Sequence, residues 1–232
     1  MNDYEEEGFG LSIGDVMSAL LMIIILVMLA IVMQLKEETN LSSRFMERQK
    51  ELSDALKAEF GPDTVELEMH IAQDGEVQFI PPDGQVLFGS TLNKPDERFK
   101  EVLREFFPRY IKTLRSYNHQ EEIREIRLEG HTDPSTRGRD PYLDNIATSQ
   151  LRSYEVLRFI LNDPQTINVV DSLGLQSELP WFQEKTVPMG FGPTKLQYVD
   201  SSRTIIDSVR CRRVCFRPLI DFEPYMKLNS TP

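Results

Sequence analysis

IRLEGHTDPSTRGRDPYLDNIATSQLRSYEVLRFIL, residues 126–161, decides the fold of this chain. It reads as the body of a strand at 123–129, then a loop, then a helix from about 143 to 161. Upstream, residues 96–115 (DERFKEVLREFFPRYIKTLR) read as a helix with Phe99, Val102, Leu103, Phe106 and Phe107 on one broad face. Pro108 within it predicts a kink, because proline lacks the N–H that a helix interior uses. Further upstream, Val65, Leu67, Met69 and Ile71 alternate with Glu66, Glu68 and His70, the pattern of a half-buried strand. Asp74-Gly75 turns the chain, and Val77 to Ile80 return as the second strand of a hairpin. Downstream, residues 163–185 show no clear period and read as an insertion. A last pair of elements runs from Val187 to Gly192 and from Cys211 to Leu219. The expected fold class is α+β, a ββαβαβ order with helices packed on one mixed sheet.

Outside this domain one stretch differs in kind. Val16 to Met33 reads VMSALLMIIILVMLAIVM, eighteen residues in which Ser18 is the only polar side chain. With its flanks from Leu11 to Leu35 it is long enough for one transmembrane helix. A cleaved signal sequence fits less well, since the residues before the run are acidic and no small-residue cleavage site follows. Asp15 stands at the start of the run. It reads either as an interfacial residue favoured by the helix N-terminus or as a carboxylate that binds and releases an ion. Ser18, one turn on, places a hydroxyl near the same site. No Lys or Arg precedes the run, whereas Lys36, Arg44, Arg48 and Lys50 follow it. Taken alone, that bias puts the C-terminal part in the cytoplasm.

Between the two parts, Leu41, Phe45, Leu52, Leu56 and Phe60 fall on one helical face. Asn40 or Ser42 is a candidate cap, and Gly61-Pro62 a stop. That helix either packs on the following domain or forms a juxtamembrane, plug-like dimer element. The expected division is a tail at 1–10, a membrane helix at 11–35, a linker helix at 36–62, a folded domain at 63–222 and a tail at 223–232. A net charge of −11 argues against nucleic acid as a partner. Three scattered histidines and two cysteines four apart, Cys211 and Cys215, argue against a metal site. No nucleophile–base set stands out, so the chain does not read as an enzyme.

Two stretches carry resemblances. IGDVMSALLMIIILVM, residues 13–28, resembles the single helix of MotB-type stator subunits at Asp15, Met17, Ser18, Ala19, Leu20 and Leu21. Ile13 and Gly14 depart from the usual Tyr-Ala. The 126–161 stretch resembles the OmpA-like peptidoglycan-binding motif, with His131, Thr132, Asp133, Asn145, Ser149 and Arg152 at its positions. GFG at 190–192 and CRRVCF at 211–216 resemble that family's later glycine-rich turn and last strand. Thr148, Ser153 and Cys211 replace the more common Leu, Ala and Asn.

The resemblance implies ion binding by Asp15, with Ser18 as the neighbouring hydroxyl that the spacing offers, and peptidoglycan binding by Thr132, Asp133, Asn145 and Arg152. Asp133 would meet the ammonium of a diaminopimelate side chain, and Arg152 would fork onto its carboxylate; an internal Asp133–Arg152 salt bridge is the plainer alternative. It implies a homodimer inside a pentameric ring of a MotA-like (ZorA-like) multi-pass subunit, with no cofactor beyond the translocated H+ or Na+. It also implies a single-pass inner-membrane protein with a cytoplasmic N-terminus and a periplasmic C-terminal domain, against the charge bias. The short acidic N-terminal tail, the Ile-Gly-Asp start and the insertion look more like ZorB-type subunits of Zorya anti-phage defence motors than flagellar stators. A flagellar stator subunit and a passive wall tether are the alternatives.

Overall fold

The computed structural model describes residues 3–82, 85–89, 93–117, 119–135 and 139–221, so the expected tail at 223–232 lies outside the described residues. The chain divides into two units, residues 1–46 and 47–232. Helix α1, Asp3–Phe60, contributes to both. In the first unit, Gly14–Lys36 is long and apolar enough to cross a membrane, and its side chains are exposed along its whole length.

The second unit begins with the last turns of α1. Leu52, Leu56 and Phe60 are fully buried there, and Phe60 lies 5.1 Å from the Phe106 ring. Ser53 Oγ donates to the Ala72 carbonyl at 3.0 Å. Arg109 reaches both Glu59 (2.8 Å) and Asp63 (2.7 Å), tying the helix end to the domain. The backbone is helical through residues 40–42, so no separate helix starts at Asn40 or Ser42. The stop at Gly61-Pro62 is present as a short 3-10 turn, Gly61–Asp63.

β1, Met69–Ile71, is shorter than the alternation suggests. Glu68 takes φ +53°, which breaks the extended chain, and Val65 is left 89% exposed. β2 is Val77–Phe79. α2, Glu97–Ser116, starts where the Asp96 carboxylate accepts from the Phe99 N–H at 2.8 Å. It runs as one helix through Pro108, which is buried. β3, Ile123–His131, leads to α3, Pro141–Asn162. α3 starts two residues earlier than its apolar pattern shows, because Asp140 caps it and Pro141 fits the first helical position.

The stretch 163–185 is not irregular. It forms α4, Pro164–Ser172, and α5, Leu179–Lys185. Asp163 caps α4 through the Thr166 N–H and binds Arg104 of α2 at 3.0 and 3.2 Å. That pairing holds the Asp163 carboxyl well below the usual range, at about 2. Thr166, Val170 and Phe182 are buried, and the Phe182 ring sits 5.0 Å from Phe107. Each helix is too short to show a period, yet each buries one or two side chains.

β4, Thr186–Gly192, α6, Ser208–Cys211, and β5, Val214–Ile220, are the last elements among the described residues. The sheet order is β1-β2-β5-β3-β4, so the last strand is central. Among the described strands only β3 and β4 run parallel, with α3, α4 and α5 in their crossover. Phe79, Phe99, Phe106, Tyr110 and Phe216 form the centre of the core, with ring centroids 4.9–5.9 Å apart. Cys211 and Cys215 are buried free thiols, and burial pushes the Cys215 thiol up to about 12.

Candidate functional site

Two separate places hold the residues singled out from the sequence. In the first unit, Asp15 and Ser18 lie one helical turn apart on α1, both exposed, at the N-terminal end of the apolar span.

The second place is built where β3 meets α3. Residues on a strand alternate between faces. Ile126, Leu128 and Gly130 therefore face the helices, and Glu125, Arg127, Glu129 and His131 face the other side. Gly130 is what lets α3 come close, since a Cβ there would stand 2.1 Å from the Ser149 carbonyl oxygen. Gly190 does the same on β4, 2.5 Å from the Gln150 nitrogen. Polar side chains of α3 then pin it to the outer edge of the sheet. Ser149 Oγ accepts from the Gly192 N–H at 2.8 Å, and Gln150 accepts from Gly190 at 2.7 Å and donates to Pro188 at 3.1 Å.

This close approach brings the end of β3 to the face of α3. Thr132 is held by its N–H to the Gly192 carbonyl (3.1 Å), and among the described residues its buried hydroxyl has no partner. Asp133, buried, accepts from Ser135 Oγ at 2.7 Å and from Arg212 Nη1 at 2.7 Å. Asn145 is buried on α3. Arg152, half-buried, donates to Asn93 Oδ1 at 3.3 Å and lies 5.0 Å from the Phe88 ring. Burial and then the Arg212 charge lower its pKa, while Asp133 raises it. Among the described residues Asp133 pairs with Arg212, not with Arg152, so the internal Asp133–Arg152 bridge is not what the structure contains.

Among the described residues one carboxylate, Asp133, thus shares a patch with two guanidiniums, Arg152 and Arg212. Such a patch accepts a carboxylate from a ligand and offers Asp133 to a neighbouring ammonium. Arg212, Asn93 and Phe88 were not singled out from the sequence. Arg212 lay within the quoted CRRVCF stretch, but its partner is 79 residues away.

Behind the patch sits a buried ionic network. Glu129 is fully buried and meets His131 Nε2 at 3.2 Å, Lys195 Nζ at 2.9 Å and Arg217 Nε at 3.2 Å. The His131 ring stacks on Phe191, centroids 5.3 Å apart. Burial holds the His131 imidazole below its ordinary value; Glu129 opposes this and Arg213 adds to it. Below about pH 6.5 the unfolded chain therefore takes up a proton that folded His131 refuses. Stability is expected to be independent of His131 above that pH and to fall as pH drops below it. The slope of melting temperature between pH 6.5 and 5 should be shallower in His131→Gln; an unchanged slope would remove His131 as its source.

His119, Glu121 and Glu122 place metal-ligand-type atoms within 4.8 Å of one another. Arg48 stands 3.9 Å from Glu122 and supplies that group with a cation already.

No protein-family model matches the chain. It is 30% identical over 227 residues to the Zorya protein ZorB of Escherichia coli (strain ATCC 8739), covering 91% of this chain and 88% of that one. Among solved structures it is similar to the cell wall anchor of the type VI secretion system from Pseudomonas aeruginosa, at 17% identity and a TM-score of 0.44 over 72% of this chain and 97% of that one. It is also similar to a MotB-like protein from Desulfovibrio vulgaris, at 19% identity and a TM-score of 0.45 over 77% and 95%. Both likenesses are too distant to assign a role to any residue.

Proposed function

Because this chain belongs to the family of the Zorya protein ZorB, we propose that it is the B-type stator subunit of an ion-driven motor serving anti-phage defence. In this reading two copies pair within a ring of a larger multi-pass membrane subunit. H+ or Na+ passes by Asp15, with Ser18 beside it, and the second unit grips peptidoglycan outside the inner membrane. The observation that carries the reading is the combination in one chain of Asp15 at the head of a 23-residue apolar span and the Asp133–Arg152–Arg212 patch. A carboxylate that moves ions does mechanical work only if something else in the machine is held still, and a wall-binding patch provides that hold. Thr132 and Asn145, both buried, border the patch in this reading, and the Thr132 hydroxyl, without a partner among the described residues, is free to bond a ligand.

The test is recovery of the full-length chain on sacculi purified from intact cells after mild cross-linking. Wild type should be recovered. Asp133→Asn combined with Arg152→Lys should reduce recovery about 30-fold or more, the loss expected from breaking charge-assisted bonds of roughly 2 kcal/mol or more. Equal recovery of the double variant would overturn the assignment of the patch. Absence of the wild-type chain from sacculi would also overturn the periplasmic orientation, since a cytoplasmic domain never meets the wall.

A further inference from the structure

An open groove of about 690 Å3 lies between α2 and α3, next to Arg152. Its rim starts at Lys94, the residue after Asn93, whose side chain holds Arg152. Its charged lining is Lys94, Lys100, Arg104 and Arg158 against Glu155 and Asp163. Arg104 is engaged by Asp163 at 3.0 Å and Arg158 by Glu155 at 3.1 Å. The excess positive charge therefore belongs to the two lysines. Lys100 has one contact at 2.6 Å with Glu97, an 83% exposed carboxylate outside the lining. Among the described residues Lys94 has no ion-pair partner.

We propose that this groove is a second subsite for the same wall peptide, in which Lys94 and Lys100 take the carboxylate of the stem residue preceding the one held at Arg152 and Asp133. The inference rests on the wall-binding reading above and deepens it. Its chemical basis is that a peptidoglycan stem is a polyanion. The residue joined to the amino end of diaminopimelate is a γ-linked glutamate, whose α-carboxylate stays free. A peptide anchored at Arg152 must lay that carboxylate on an adjoining surface, and the groove is contiguous through Asn93 and Lys94. The reach is right. Lys94 directly follows Asn93, which holds Arg152, so its Cα stands one peptide unit, about 3.8 Å, from that of Asn93, within reach of the neighbouring stem residue. Salt and solvent screen an exposed lysine pair, so the subsite adds selectivity to the anchor and does not replace it.

The experiment measures binding of two synthetic probes to the full-length chain in detergent micelles. One is the muramyl tripeptide with a free glutamyl α-carboxylate, and the other is its α-amide. Wild type is expected to bind the acid about tenfold more tightly than the amide. Lys94→Glu with Lys100→Glu should erase that preference, lowering affinity for the acid and leaving the amide unchanged. Equal wild-type affinity for the two probes would sink the inference, as would a double variant that loses both alike. Asp133→Asn separates the two levels. If it weakens both probes while wild type shows no preference, the wall-binding reading stands and the groove falls. If neither probe binds wild type, both fall together.

Discussion

Asp15→Asn is expected to abolish phage protection in cells carrying the complete defence system while leaving the chain in the membrane and on the wall. Asparagine has nearly the same size and polarity as aspartate, and an exposed position at the head of the apolar span gives it no packing to disturb. What it lacks is a charge to offer a cation and a proton to take up and release. Each elementary charge crossing the membrane releases about 2.3 kcal/mol per 100 mV. Without a group to couple that passage to movement, none of it becomes work. Plating efficiency of a susceptible phage should therefore rise to that of cells lacking the system, a change of orders of magnitude. Abundance in the membrane fraction, recovery on sacculi and co-purification with the multi-pass partner should match wild type. Protection that survives the substitution would make the chain a passive tether, which needs the wall patch but no ionisable residue in the membrane helix.

The largest structural effect is expected at Gly130. A methyl group there would stand 2.1 Å from the Ser149 carbonyl oxygen and 2.9 Å from its carbon. Both atoms belong to helix backbone, so no side-chain rotation relieves the clash. Relief requires α3 to move off β3 and β4, where Ser149 and Gln150 hold it by hydrogen bonds to Gly192, Gly190 and Pro188. Overpacking against backbone is expected to cost roughly 3 kcal/mol or more, a fall in melting temperature of about 6–12 °C for a domain of this size. Because α3 carries Asn145 and Arg152, the same shift separates them from Thr132 and Asp133, and wall binding should fall with stability. Gly61→Ala is the matched control. Nothing lies within 4 Å of a Cβ at that position, and its effect should stay within about 0.5 kcal/mol. Equal melting temperatures for Gly130→Ala and wild type would mean that α3 does not sit as close to the sheet as the structure places it.

The proposed wall-binding patch was half legible in the sequence. Thr132, Asp133, Asn145 and Arg152 lie within 21 residues of one strand–loop–helix unit, so a local motif marks all four. Arg212, which holds Asp133, comes from the approach to β5, and Asn93 and Phe88 come from the chain before α2. Sequence separations of 59 and 79 residues leave no local pattern. The burial of Glu129 and His131 left no mark in the local pattern. Alternation places them on the sheet face away from α3, where charged residues are ordinarily solvated, yet Lys195, Arg217 and the Phe191 ring enclose them. The two helices at 163–185 left no period in the sequence because each is short and is held by contacts to α2.

What the sequence by itself determined is what neighbouring residues dictate. An apolar run headed by Asp15, the amphipathic face of α2, the stop at Gly61-Pro62 and the turn at Asp74-Gly75 all follow from residues within a few positions of one another. Tertiary structure alone decided that β5 enters the middle of the sheet, and that the last turns of α1 belong to the folded domain. It alone set Arg212 against Asp133 and opened a lysine-rimmed groove beside Arg152. These depend on pairings between distant segments, whose free energy comes from burying surfaces that no single stretch of chain contains.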